Sequence, residues 1–152
     1  MDAAPRQFAD LPLDAELGVP VPFACGTEEY GGRADGPPPT LRLLDGRRVT
    51  QCALSRVCGV CGAGLGRPLA FVGSPEEAAR NAFHFPACHL ECARRLLDVL
   101  STLVGTAVLG QPEPVESWVL TTTAAFEYVR PGREDLDRRP TFQPHEVLTE
   151  TR

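Results

Sequence analysis

"FPACHLECARRLL", residues 85 to 97, sets three candidate metal ligands, Cys88, His89 and Cys92, within five positions where a helical pattern begins. After Pro86 the apolar residues Ala93, Leu96, Leu97, Leu100, Leu103 and Val104 recur at three- and four-residue spacing, the repeat of a helix with one face on a core. The pattern predicts a helix over 87 to 104, ended by Gly105 or Gly110, with Pro112 barring continuation.

Working upstream, "CGVCG" places Cys58 and Cys61 two residues apart, with Gly59 and Gly62 after them. A structural zinc ion takes four nitrogen or sulfur ligands in a tetrahedron, commonly as two pairs that are each close in sequence. Glycine lets the chain turn tightly enough for both sulfurs to converge and for amide N–H groups to face them. The second pair is either His89 with Cys92 or Cys88 with Cys92, since i,i+3 and i,i+4 share a helix face. Residues 88 and 89 diverge by about 100° on a helix, so both do not serve one ion. "HLEC" repeats the two-residue gap of the knuckle, and a helix N-terminus favours a thiolate. The preferred set is Cys58, Cys61, His89 and Cys92 around Zn2+, with Cys88 lining the site.

A Cys-x-x-Cys-Gly knuckle, a hairpin, and a helix carrying the second pair in its first turn is the order of a treble-clef zinc finger. The 27 residues between Cys61 and His89 suit a hairpin running from "PLAFVG" to "NAFHFP". "GVPVPF", "VCGVCGAGLGRPLAFVG" and "FPACHLECARR" resemble a family of small treble-clef zinc-binding proteins of actinobacteria and their phages. In that family the histidine and following cysteine correspond to His89 and Cys92, and the position of Cys88 usually holds another residue. The resemblance implies a metal-binding architecture rather than a particular activity. It departs where the family helix often runs on to a Cys-Pro pair, for here "LLDVLSTLVG" stays apolar.

The totals bound what surrounds this site. A chain of 152 residues, 43% hydrophobic, is long enough for one domain with its own core. Fifteen prolines and fourteen glycines favour short elements over a helical bundle. No 18-residue apolar run occurs, and "MDAAPRQFADLPLDAELGVP" lacks a basic segment leading into an apolar one, so a cytoplasmic protein without membrane contact is expected. In that compartment six cysteines read as reduced thiols and metal ligands rather than disulfides.

Residues 1 to 40 form an acidic, proline-rich arm with seven Asp or Glu against two Arg, expected to pack on a zinc-binding α+β domain over 41 to 152 whose treble-clef core is 56 to 105. "LGVPVPFACG" reads as an edge strand and residues 30 to 40 as a loop. "TLRLLDGRRVTQCAL" reads as a hairpin turning at Asp45-Gly46. Leu69 to Val72 is a strand, Ser74 caps a short turn, and Ala82 to Phe85 is the partner strand. β-Branched and aromatic residues over 115 to 129 predict one or two strands, "RPGREDLDRRP" a charged loop, and the tail one short packed element. The whole is a fold of short antiparallel strands around one main helix. Cys25 and Cys52 read as small buried apolar residues, His84 as a half-buried strand residue, and His145 as exposed.

Four saturating ligands leave no coordination position for water or substrate, so the leading expectation is a non-catalytic zinc module that presents a surface to a protein partner. The runner-up is a nucleic-acid-binding regulator, resting on Arg42, Arg47, Arg48, Arg56, Arg67, Arg94 and Arg95 around the ligands; the net charge of -5 opposes a general polyanion binder. A metal-dependent enzyme, with Glu91 or His84 as base, is third. "FHFP" bears a superficial likeness to a nuclease histidine motif, but His84 lies only five positions before His89. The sequence assigns no oligomeric state.

Overall fold

The computed structural model describes residues 8–25 and 39–151. It is a mixed α/β fold in which three helices pack around one four-stranded antiparallel sheet of order β2-β1-β3-β4. β1 (Leu69–Gly73) lies between β2 (Cys88–His89) and β3 (Val119–Val129), and β4 (Thr141–Thr151) pairs on the far side of β3.

Every residue of β1 is buried, as an interior strand covered on both faces requires. Phe71 meets Phe83, Phe126 and Phe142 at ring separations of 5.4, 5.8 and 6.2 Å. α3 (Leu90–Leu100) buries Ala93, Leu96 and Leu100 at the spacing read from the sequence. Full burial of a leucine is worth roughly 2 kcal/mol, so this stripe holds the helix in place without help from its caps.

The Asp45-Gly46 hairpin is not formed. α1 (Gly46–Ser55) begins there instead, because the Asp45 carboxylate accepts the N–H groups of Arg47 and Arg48. An Asp that caps free amides starts a helix as readily as it starts a turn, and Val49 with Cys52 supplies a buried face. A left-handed Arg56 (φ 53°) ends the helix and turns the chain into the knuckle.

Other expectations shift for similar reasons. The edge strand over "LGVPVPFACG" is replaced by a single Leu13–Pro20 bridge and a 3-10 turn, Phe23–Cys25; Pro20 and Pro22 have no N–H to extend a ladder. Ala82 to Phe85 does not pair with β1. Phe83 exchanges both backbone hydrogen bonds with Phe142 on the edge of β4, at 2.9 and 2.7 Å. The short turn after Ser74 is α2 (Pro75–Arg80), with Ser74 and Glu77 closing a capping box. The main helix starts later than expected, because Cys88 and His89 extend to pair with Ala70 and Leu69. It ends earlier, at Leu100, and turns carry the chain to Gly105 (φ 89°). β3 and β4 are eleven residues each rather than short.

Within the arm, Leu11, Val21, Ala24 and Cys25 are buried, and Asp14 receives Thr40 Oγ1 and Leu41 N, both at 2.9 Å. The loop expected over 30 to 40 lies, apart from Pro39 and Thr40, outside the described residues. No helix among the described residues is long and apolar enough to cross a membrane.

Candidate metal centre

The site is assembled from two tight backbone features. Residues 57 to 64 fold back on themselves: Cys58 N–H donates to Ala63 O at 2.7 Å, Gly62 N–H to Cys58 O at 2.9 Å, and Val57 bridges Gly64. The two glycines differ in how strictly they are needed. At Gly62, φ is 78°, and an added Cβ would sit 2.8 Å from the Phe23 ring; at Gly59 it would meet Phe85 at 3.1 Å and Pro86 at 3.2 Å. A side chain is strained at Gly62 by both backbone and contact, whereas at Gly59 it requires Phe85 and Pro86 to give by a few tenths of an ångström.

The second feature is the junction of β2 and α3. His89 is the last strand residue and the N-cap of the helix, while Cys92 lies in the first helical turn. The pairing of Leu69 with His89 fixes how far along β1 the imidazole stands. Gly59 N–H donates to Ala87 O at 2.9 Å and so ties the knuckle to this junction.

Together these bring the ligand atoms of Cys58, Cys61, His89 and Cys92 within 4.8 Å of one another, and no other group of three or more His, Cys, Asp or Glu converges in this way among the described residues. His89 Nδ1 is 3.4 Å from Cys61 Sγ and 3.7 Å from Cys92 Sγ. Ordinary zinc–sulfur and zinc–nitrogen bonds at the tetrahedral angle imply a sulfur–nitrogen separation of about 3.5 Å. His89 Nε2 lies 2.8 Å from Gly64 O. Since a carbonyl only accepts, Nε2 carries the proton and Nδ1 presents its lone pair to the sulfurs, the arrangement that orients a ligating histidine.

The sulfurs stand in unequal surroundings. Cys58 is fully buried and accepts the N–H groups of Val60 at 3.3 Å and His89 at 3.4 Å. Hydrogen bonds from neighbouring thiols, Cys61 first, hold its thiol far below the ordinary range. Cys61 and Cys92 are pushed up, first because they donate to Cys58 and then by burial. Thiols this close oppose one another's ionisation, because like charges at short range repel. A dication reverses that balance and displaces the remaining thiol protons.

Cys88 is not part of the converging group. It is fully buried, burial raises its thiol well above the ordinary value, and its Sγ donates to Pro86 O at 3.3 Å. Cys25 and Cys52 are also buried, and burial raises the Cys52 thiol to about 12. His145 is exposed and faces Glu127 at 3.5 Å. His84 is more buried than expected, at 5% exposure, and lies in a bend rather than a strand.

Sequence reasoning missed Gly64 as the carbonyl that orients His89. It also missed Glu77, a buried carboxylate that receives Ser74 N and His84 N at 2.9 Å and Gln111 Nε2 at 2.7 Å. The Ser-x-x-Glu box at 74 to 77 was a legible signal for part of that network. The chain matches no protein-family model, no curated protein and no solved structure.

Proposed function

We propose that this chain is a non-catalytic module organised by one structural Zn2+ on Cys58, Cys61, His89 and Cys92, in a treble-clef arrangement, acting as an interaction or accessory protein in a bacterial or phage pathway. The observation that carries the reading is the convergence of one imidazole nitrogen and three sulfurs within 4.8 Å, with Nδ1 freed by the Gly64 contact. Four such donors complete a tetrahedron and leave no position for water or substrate. The ion would tie the knuckle to the head of α3, contributing on the order of 10 kcal/mol to folding.

The arginines around the site favour this reading over nucleic-acid binding there. Arg42 pairs with Glu16, Arg95 with Glu91, and Arg48 and Arg56 lie over the rings of Phe23 and Phe126 at 4.5 and 4.8 Å. These cations are engaged by the protein itself. Glu91, one of the two bases considered for an enzyme, faces Arg95 at 3.7 Å.

Metal analysis of the purified chain, with X-ray absorption at the zinc edge, tests the proposal. One zinc per chain in a shell of three sulfurs and one nitrogen is expected. Metal-free material that keeps its fold, or a shell containing water oxygen, would overturn it.

A further inference from the structure

The charged loop between β3 and β4 returns across α2 and leaves a cleft of ≈ 350 Å³ whose lining includes Arg80, His84, Arg130, Arg139, Thr141 and Gln143. It involves none of the four candidate zinc ligands.

The charges in this cleft are not equivalent. Arg80, Arg130 and Arg139 outnumber the two aspartates of the lining, Asp135 and Asp137, and only Asp137 has an arginine partner. Asp137 is held by Arg139 through two parallel contacts, Nε to Oδ1 at 3.0 Å and Nη2 to Oδ2 at 2.9 Å, and Asp135 Oδ2 accepts Gly132 N–H at 2.7 Å. Arg139 is fixed in turn by donating Nη1 to Gly110 O at 2.7 Å. Arg80 and Arg130 form no ion pair among the described residues. Two guanidinium groups thus face one concavity without a carboxylate of their own, in a chain whose net charge is -5.

A buried histidine steadies one of them. His84 Nδ1 is 3.2 Å from Pro140 O, which only accepts, so Nδ1 carries the proton and Nε2 is left as an acceptor. Arg80 Nη2 and Asp137 Oδ2 both stand 3.5 Å from that nitrogen, and of the two only Arg80 can donate to it. The imidazole, 5% exposed, therefore orients Arg80 from beneath the cleft surface. Thr141 and Gln143 add neutral donors to the lining.

We propose that this cleft binds the phosphate group of a phosphorylated ligand between Arg80 and Arg130. Guanidinium groups pair with phosphate oxygens through parallel N–H donors, and hydroxyl and amide donors complete the shell. A larger cleft of ≈ 630 Å³ shares Arg80, His84, Asp137 and Arg139, but Glu76, Glu113 and Glu116 line it and repel an anion. On the other side of Arg130 a concavity of ≈ 320 Å³ continues with Arg138, Thr50 and Tyr128 and has no carboxylate in its lining. Arg130 lines both concavities, so Arg80 and Arg138 flank it in neighbouring clefts.

The inference does not rest on the zinc reading, and its test is run on the full chain at measured metal content. Inorganic phosphate, a nucleoside 5′-monophosphate and a short single-stranded oligonucleotide are titrated at low salt, with binding followed by calorimetry and by amide shifts. The expected result is shifts centred on Arg80, Arg130, Thr141 and Gln143. Arg130→Ala and Arg80→Ala should each weaken binding about fivefold or more, while Arg94→Ala, outside the cleft, leaves it unchanged. Binding of the small phosphates alone identifies a free phosphorylated metabolite. Binding of the oligonucleotide with a salt slope that falls by about one for each arginine removed identifies a polynucleotide. Failure of all three probes, or binding indifferent to both cleft substitutions, overturns the proposal. Matching circular dichroism and melting curves for the variants separate lost binding from lost fold.

Discussion

Two polar centres are built into the interior, and they handle buried charge in opposite ways. At the Glu77 centre a carboxylate 2% exposed is met by protein donors alone: Ser74 N and His84 N at 2.9 Å and Gln111 Nε2 at 2.7 Å. At the cysteine centre two backbone amides donate to Cys58 Sγ, and three sulfurs face a nitrogen lone pair. A closed network of neutral donors satisfies its anion as soon as the chain folds. A cluster of sulfur ligands completes its charge balance only with a metal.

That contrast has consequences for mutation. Removing a candidate ligand should have the largest effect: if zinc is held as proposed, Cys58→Ser is expected to lose the metal and most of the organisation of residues 56 to 92. The scale is on the order of 10 kcal/mol, checked by metal content and amide spectra with and without chelator. Glu77→Ala should cost about 3 to 5 kcal/mol, because three buried donors lose their acceptor. Denaturant unfolding measures this, and the metal content should stay at one per chain. If Glu77→Ala also releases metal, the two centres form one cooperative unit and the contrast fails.

Gly62→Ala falls next, at about 1 to 3 kcal/mol, since φ is 78° and the new Cβ would stand 2.8 Å from Phe23. Because the strain lies inside the knuckle, it should weaken metal affinity as well as stability, as competition with a chromogenic chelator would report. Cys88→Ala should cost about 1 kcal/mol for a small buried void and keep the metal. Loss of metal on that substitution would transfer the fourth ligand role away from His89.

The smallest effect concerns pH. Burial first, and then Arg139, lowers His84 below its ordinary 6.5, so the folded chain binds its proton less readily than the unfolded chain. The stability it contributes is complete above about pH 6.5 and declines as pH falls through the lower folded value. His84→Asn should flatten that part of the profile, measured by chemical denaturation at constant zinc between about pH 7 and pH 5.

The helix after Pro86 was legible because Ala93, Leu96 and Leu100 repeat at its period, and β1 because Leu69 to Val72 is a bounded apolar run. Asp45-Gly46 was misread because one carboxylate can close a turn or cap a helix, and the choice depends on a buried partner for Val49 and Cys52. Phe83 was assigned to β1 by proximity in sequence, whereas its backbone groups found Phe142, nearly sixty residues away. Local pattern carries no information about that encounter.

By itself the sequence determined two close ligand pairs, Cys58 with Cys61 and Cys92 with a preferred His89, together with the adjoining glycines and the buried face of the long helix, because each depends on spacing within a few residues. Only the tertiary structure decided that His89 offers Nδ1, that Glu77 closes its own network and that Arg80 and Arg130 share a cleft. Each of those rests on a carbonyl, a donor or a strand brought in from elsewhere in the chain, and the energy of such contacts exists only once the core has formed.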